Sequence, residues 1–95
     1  MRDQIIDKYK EKGVYQGKTW MFKAPEAMKI IEDVDNLGLV VLGMDALIVE
    51  EKNTTVDDYV DYSDEIRQGI NVKEAALNWV RARHNKGLYF EIVIN

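Results

Sequence analysis

The spacing of apolar residues changes once between residues 72 and 94, at Gly87, and this change limits the possible folds more than any other feature of the chain. Before the glycine, one apolar helix face is predicted by Val72, Ala75, Ala76, Trp79 and Val80. After it, a strand with one apolar face is predicted by Leu88, Phe90, Ile92 and Ile94. Since both apolar faces must leave water, we expect the helix to pack on the sheet that contains this strand.

Earlier segments supply further helices and strands. Residues 3–12 are predicted to form a short helix, and residues 19–22 a brief strand. Pro25 then opens a clearer helix, as a first-turn proline does. The apolar run at residues 39–42 indicates a strand that is covered on both faces or lies at the sheet centre. Gly43 after it allows a bulge, a bend or a close approach of another backbone.

The chain is less defined after this run. Residues 46–51 are predicted to continue as extended chain, and residues 53–55 to form a turn. Residues 56–62 fit either a strand, by alternation, or a helical turn. The predicted fold is an α/β (α+β) two-layer domain formed by residues 1–95. Its helices are expected to pack on a three- to four-stranded, mostly antiparallel sheet.

Composition limits the class of function. The chain has 95 residues, no cysteine and a formal net charge of −4. Disulfides and thiolate metal sites are excluded, and binding to nucleic acid or to an anionic membrane is disfavoured. We see no signal-peptide pattern and no apolar run long enough to span a membrane. We therefore expect a cytoplasmic protein with a basic partner, although acidity that only keeps a protein in solution is an equal alternative.

No set of residues predicts catalysis. Ser63 and His84 are the only serine and histidine, and no nucleophile motif surrounds Ser63. His84 lies at a basic helix end beside Arg81 and Arg83, which favours a capping or surface role. The carboxylates lack the spacing of a calcium loop, and no phosphate-binding glycine loop occurs. We expect no enzyme activity, no cofactor and no metal site.

The feature that suggests a function is an acidic segment, residues 50–65, with interleaved tyrosines. Seven of the 17 acidic residues of the chain fall in this segment, and Lys52 is its only cation. A basic protein partner is predicted to contact Glu50, Glu51, Asp57, Asp58, Tyr59, Asp61, Tyr62, Asp64 and Glu65. Tyrosine would supply the contact area and charge would steer the encounter. A solvated loop or a charged edge strand is an equally good interpretation of the composition.

Two stretches resemble a known family. The first covers residues 17–20, 24–36 and 39–46, and the second covers residues 76–80 and 88–94. Together they resemble the immunity protein 40 family of bacterial polymorphic-toxin systems, which act in contact-dependent inhibition. The resemblance implies a small cytoplasmic protein that binds a cognate secreted toxin, often a nuclease, and protects the producing cell.

The residues that carry the family pattern are Trp20, Gly43, Asp45 and Trp79. In the family the central strand ends in Gly-Gly-Asp and an aliphatic residue, whereas Met44 stands here in place of the second glycine. Asp45 matches the aspartate of that pattern. We expect it to hold the strand bend by local hydrogen bonds, in preference to contacting the toxin.

Two functions of different class are therefore predicted. The first is an immunity protein that inhibits a basic, nuclease-type toxin by occupying its phosphate site or by binding beside it. The alternative is a small adaptor or regulatory domain that homodimerises through a strand edge. The candidate edge is the terminal strand, residues 88–94, which carries no charge except Glu91.

Overall fold

A computed structural model describes residues 2–95, which form four α-helices and five β-strands. The helices are α1 (Arg2–Tyr9), α2 (Ala24–Asn36), α3 (Ser63–Arg67) and α4 (Lys73–Arg81). The strands are β1 (Gly13–Gln16), β2 (Thr19–Phe22), β3 (Val41–Val49), β4 (Thr54–Asp61) and β5 (Tyr89–Ile94). Short 3-10 turns follow α1 and α4, at Lys10–Lys12 and His84–Lys86.

The five strands join one antiparallel sheet in the order β1–β2–β5–β3–β4. The predicted α+β, two-layer fold is confirmed, with five strands where three to four were expected. The additional strand is β1, whose four residues show no apolar alternation. It exists by pairing with β2 across a turn at Gly17 and Lys18, both of which have positive φ (61° and 66°). That backbone conformation is the one that two-residue hairpins favour.

The segment that fitted either a strand or a helical turn is the strand β4, which pairs with β3 from Gly43–Asp61 to Val49–Thr54. The hairpin turn closes earlier than predicted, because the Glu50 amide donates to the Asn53 carbonyl at 2.8 Å. Thr54 and Thr55 were expected in the turn and instead belong to β4. Within residues 2–95 no strand lies on the other side of β4, so β4 is one edge of the sheet.

The terminal strand β5 was expected to offer an exposed edge for a homodimer, and this expectation is wrong. β5 is the middle strand of the sheet, between β2 and β3. It pairs with β3 from Val41–Ile94 to Leu47–Tyr89 and with β2 at Phe22–Phe90. An alternating apolar strand with few charges is typical of the inside of a sheet, where both long edges can be occupied.

The core lies between the sheet and the helices. One cluster of buried side chains joins Ile5 of α1, Ile30 and Ile31 of α2, and Leu77 and Val80 of α4 to the sheet. The sheet contributes Phe22, Val41, Met44, Ala46, Phe90, Ile92 and Ile94. Among residues 3–95, for which side-chain burial is described, no polar or charged residue is buried. The helix face and strand face predicted on either side of Gly87 both contribute to this cluster. Ala75 is an exception, because it is exposed, and Leu77, which was not part of the predicted face, is buried.

Gly43 marks the point where β3 changes register. The pairing with β5 shifts between Val41 and Gly43, and a bulge at this glycine was one of the three possibilities that the sequence left open. A Cβ atom at position 43 would lie 2.6 Å from the Val60 carbonyl oxygen of β4. Glycine therefore allows the backbones of β3 and β4 to approach each other closely at the end of the hairpin.

The end of β1 lies close to the end of β3, although two strands separate them in the sheet. β1 and β3 are three strand positions apart, about 14 Å in a flat sheet. The Gln16 side-chain amide nevertheless donates to the Glu50 carbonyl at the end of β3, at 3.3 Å. Met21 and Leu47 are buried although they are not part of the helix-side core. One end of the open face is therefore sheltered by the β1–β2 hairpin.

Candidate protein-interaction surface

The acidic segment is divided among three elements. Glu50 and Glu51 lie at the exposed β3–β4 turn, Asp57, Asp58, Tyr59 and Asp61 lie on β4, and Tyr62, Asp64 and Glu65 lie at the start of α3 or inside it. Because β4 is an edge strand, its side chains reach solvent from both faces and from the edge. The segment is therefore a charged edge strand with its two flanks.

Alternation along β4 divides its side chains between two faces. Val60 is opposite the core residue Met44 and packs against the core, and Asp58 is opposite Ala46 on the same face. Tyr59 is opposite Asp45 and Asp61 is opposite Gly43, on the open face. The pairing shifts near Asp57, between Ala46 and Leu47 of β3, and this bulge interrupts the regular edge.

Asp58 is occupied within the protein. Its carboxylate accepts a hydrogen bond from the Arg83 guanidinium at 2.8 Å, and this bond lowers the pKa of Asp58. A second contribution comes from the Tyr59 amide, which donates to Asp58 at 2.8 Å. Arg83 also lies over the Trp79 ring at 4.0 Å and donates to the Trp79 carbonyl. Asp58 therefore ties β4 to the end of α4 and is a poorer contact for a partner than the sequence predicts.

Tyr62 was predicted to contact the partner, and the structure contradicts this. Its side chain is 4% exposed and belongs to the helix-side core. Burial raises the pKa of the Tyr62 hydroxyl above its ordinary value. The chain turns from β4 into α3 at this point, so the alternation that holds for β4 no longer decides which way the side chain points.

The carboxylates on the two flanks of β4 differ in whether they have an ion-pair or hydrogen-bond partner within the protein. Glu50, Glu51 and Asp57 are exposed, and within the described part of the chain their carboxylates have no ion-pair or hydrogen-bond partner. Asp64 is exposed but pairs with Arg67 along α3, and Glu65 is half-buried. Of the predicted carboxylates, the β3–β4 turn and Asp57 therefore carry the strongest uncompensated charge.

The open face presents the exposed aromatic residue of the segment. The Tyr59 side chain is 70% exposed, and Val93 on β5 is 44% exposed. The Asp61 carboxylate accepts hydrogen bonds from the Ser63 amide and hydroxyl, and these bonds lower the pKa of Asp61. Tyr59, Asp61 and Val93 line a shallow depression of about 290 Å³ together with Asp45 and Gly43. This surface combines apolar area with negative charge.

The residues on which the resemblance was based have different environments. Trp20 packs against the core and beside Phe22, and Trp79 packs edge-on against Phe90. Asp45 was expected to hold the strand bend by local hydrogen bonds, and the structure contradicts this. Within residues 2–95 its carboxylate makes no hydrogen bond or ion pair, and it is only half-buried on the open face.

Two residues of the surface were missed from the sequence. Glu91 and Val93 alternate with the core residues of β5 and so share the open face with Asp45 and Tyr59. Their alternation with Phe90 and Ile92 was visible in the sequence. The missing information was the neighbour of each strand, because it is the β5–β3–β4 order that joins them to the acidic segment.

The basic residues Arg81, Arg83 and His84, at the end of α4 and just after it, each contact a nearby group of the protein. The Nδ1 atom of His84 lies 2.7 Å from the Arg81 carbonyl oxygen at the end of α4, which agrees with the predicted capping or surface role. The Arg81 guanidinium binds the Asn78 side chain, and Arg83 binds Asp58. In residues 2–95 no three histidine, cysteine or acidic side chains are grouped as a metal site would require.

None of the helices in residues 2–95 combines the length and hydropathy needed to cross a membrane. Comparisons with protein-family models, with curated proteins and with solved structures give no match to this chain.

Proposed function

We propose that this protein is an immunity protein, similar to the immunity protein 40 family, that binds and inhibits a basic, nuclease-type toxin domain in the cytoplasm of the producing cell. Its mode of action is binding alone, without a cofactor and without a reaction of its own. The observation that carries the proposal is the combination, on the edge strand β4 and beside it, of an exposed tyrosine and uncompensated carboxylates.

The charge of this surface supports a basic partner. Glu50, Glu51 and Asp57 are exposed without partners in residues 2–95, and the whole chain has a net charge of −4. A nuclease surface is basic because it holds phosphates. Opposite potentials speed the diffusional encounter by about tenfold or more at low salt.

Tyr59 supports a stable complex and not only a fast encounter. A tyrosine side chain exposed to 70% places a stiff ring in solvent, where it can bury apolar area at small entropic cost. Tyrosine is among the residues that dominate binding energy when they lie at the centre of an interface. Tyr59 lies between the uncompensated Asp57 and the half-compensated Asp61 on the same strand.

The homodimerising adaptor has weaker support. The terminal strand β5 has neighbours on both sides, and the free edges are β1 and β4. Two copies of β4 placed edge to edge would bring Asp57, Asp58 and Asp61 of each chain close together, which is a common protection against pairing. The β1 edge has only four residues, Gly13–Gln16.

The test uses the toxin domain encoded beside this gene, coexpressed with the chain and then purified with it. The first variant combines Asp57→Lys with Tyr59→Ala. Because a central tyrosine contributes about 2 kcal/mol or more, we expect a rise in Kd of at least ~30-fold. Charge reversal should also slow association by about tenfold at low salt, and less at high salt.

The matched control combines Glu11→Lys with Tyr15→Ala, which makes the same chemical changes beside and on the other edge strand, β1. Tyr15 is also exposed, and Glu11 is exposed without a partner in the described residues. The control should protect cells and bind the toxin as the parent does. If the two double variants lost toxin binding equally, β4 would not be part of the interface. If the parent chain did not bind the toxin at all, the immunity function would be rejected.

A further inference from the structure

Three side chains form a row across the open face of the sheet. Tyr59 on β4 is directly opposite Asp45 on β3, and Asp45 is directly opposite Glu91 on β5. Side chains at directly opposite positions of antiparallel strands have Cβ atoms about 5 Å apart. The row therefore places an aromatic ring and two carboxylates side by side on one surface.

The two carboxylates of the row are an unusual pair. Like charges at directly opposite positions destabilise a sheet. Glu91 accepts a hydrogen bond from the Thr19 hydroxyl, which offsets part of the repulsion, whereas Asp45 has no partner within residues 2–95. No cation in that range is ion-paired with either residue. The negative charge of Asp45 therefore stays available to an external cation.

The surroundings of the row favour an organic cation. The Tyr59 ring lies at one end, and Val93 lies beside the row across from Gly43. These groups line the same 290 Å³ depression as Asp45. Asp61 also lines this depression, and Glu91 does not. A metal ion prefers several oxygen ligands, and in the described residues no three acidic, histidine or cysteine side chains are grouped as such a site requires. An exposed ring and an apolar wall suit a cation with a flat, weakly hydrated surface.

We propose that this row, Tyr59–Asp45–Glu91, is the receptor for one arginine side chain of the partner protein. The guanidinium stacks on the Tyr59 ring and donates to Asp45 beside it, while Glu91, bonded to Thr19, adds negative charge at the far end of the row. The compact, strongly hydrated ammonium of lysine can donate to a carboxylate but has no flat face to stack on the ring. The inference rests on the proposed function for its biological setting. Its chemistry depends only on the geometry of the row.

The experiment titrates the full chain with the acetylated, amidated tripeptide Gly-Arg-Gly and follows backbone amides by NMR. We expect saturable shifts centred on Tyr59, Asp45 and Glu91, with affinity about threefold higher than for Gly-Lys-Gly, as the difference in stacking predicts. Tyr59→Phe should retain the preference for arginine, and Tyr59→Leu should abolish it. Asp45→Asn with Glu91→Gln should weaken binding by about fivefold or more.

The control variant is Glu11→Gln with Glu74→Gln, which removes the same charge from two exposed positions outside β3, β4 and β5. It should bind the arginine tripeptide within about twofold of the parent, since surface charges away from the site contribute little. Equal affinity for the two tripeptides, or equal loss in both charge variants, would overturn the arginine site. Toxin binding without an arginine preference would refute the site alone, and arginine binding without toxin binding would refute only the immunity function.

Discussion

The two faces of the sheet differ in what they bury and in what they leave in water. The face toward α1, α2 and α4 carries a continuous apolar core that includes Phe90 and Met44. The other face, over β5, β3 and β4, carries Glu91, Asp45 and Tyr59, which are half-buried or exposed. Adjacent residues of one strand thus belong to opposite environments.

This difference indicates that stability and recognition depend on opposite faces of the sheet. Residues of the covered face stabilise the fold, because their transfer from water is complete. The exposed residues of the open face add little to stability, unlike the buried Met21 and Leu47 at its sheltered end, and their charge and apolar area remain free for another molecule. Asp58 is an exception on β4, since it faces the helices and is used to attach the edge strand to Arg83.

The largest expected effect tests this separation within β5. Phe90→Ala removes a fully buried ring and should lower the free energy of unfolding by about 3–5 kcal/mol. Val93→Ala, on the open face of the same strand, should change it by less than about 0.5 kcal/mol. Urea denaturation followed by circular dichroism measures both. Similar losses in the two variants would contradict the assignment of the faces.

An intermediate effect is expected where β3 and β4 approach each other. Gly43→Ala places a methyl group against the Val60 carbonyl oxygen, and backbone atoms of a paired strand cannot move aside easily. We expect a loss of about 1–3 kcal/mol. Hydrogen exchange should accelerate at β4 amides and stay unchanged in the β1–β2 hairpin. A variant as stable as the parent would show that the hairpin end can open without cost.

The smallest effect concerns the two faces of β4 in acid. The pKa values of Asp58 and Asp61 are lowered, mainly by Arg83 and by Ser63 respectively. Carboxylates with a lowered pKa stabilise the folded state above their unfolded pKa of about 4, and this stabilisation is lost as pH falls through the folded pKa. We therefore expect Tm to fall as pH drops below about 4.

Two variants assign this acid dependence. Asp58→Asn removes the Arg83 pair and should lower Tm slightly at pH 7 while flattening the acid dependence. Asp57→Asn removes the same charge from a position without a partner in residues 2–95, so its Tm profile should match the parent. Scanning calorimetry from pH 3 to 7 makes the comparison. A flattened profile in Asp57→Asn would assign the effect to net charge and not to the Arg83 pair.

Several local features could be predicted because each depends on neighbours in sequence. The helix before Gly87 and the strand after it follow from apolar spacing, and Pro25 lies in the first turn of α2 as expected. Glycine at position 43 allowed a bulge, a bend or a close backbone approach, and the structure has both a register shift and a close approach there. The strand β1 could not be predicted, since its four residues gain their conformation from pairing with β2.

The candidate site was predicted in part. Exposure of Glu50, Glu51, Asp57 and Tyr59 agrees with the expected contact surface. Tyr62 is buried and Asp58 is paired with Arg83. Neither environment could be predicted, because residue type alone does not show whether a side chain faces solvent or a helix. Glu91 lies 26 residues after Glu65 in the chain, so the composition of the acidic segment gives no indication that Glu91 shares its surface.

The sequence by itself determined the two-layer class, the apolar helix and strand on either side of Gly87 and the negative charge of residues 50–65, because these depend on spacing and composition. Only the tertiary structure decided that β5 lies inside the sheet and that Tyr59, Asp45 and Glu91 stand in one row. The physical reason is that strand pairing is non-local. Alternation fixes which residues share a face, but hydrogen bonding between distant strands fixes which of those faces become neighbours.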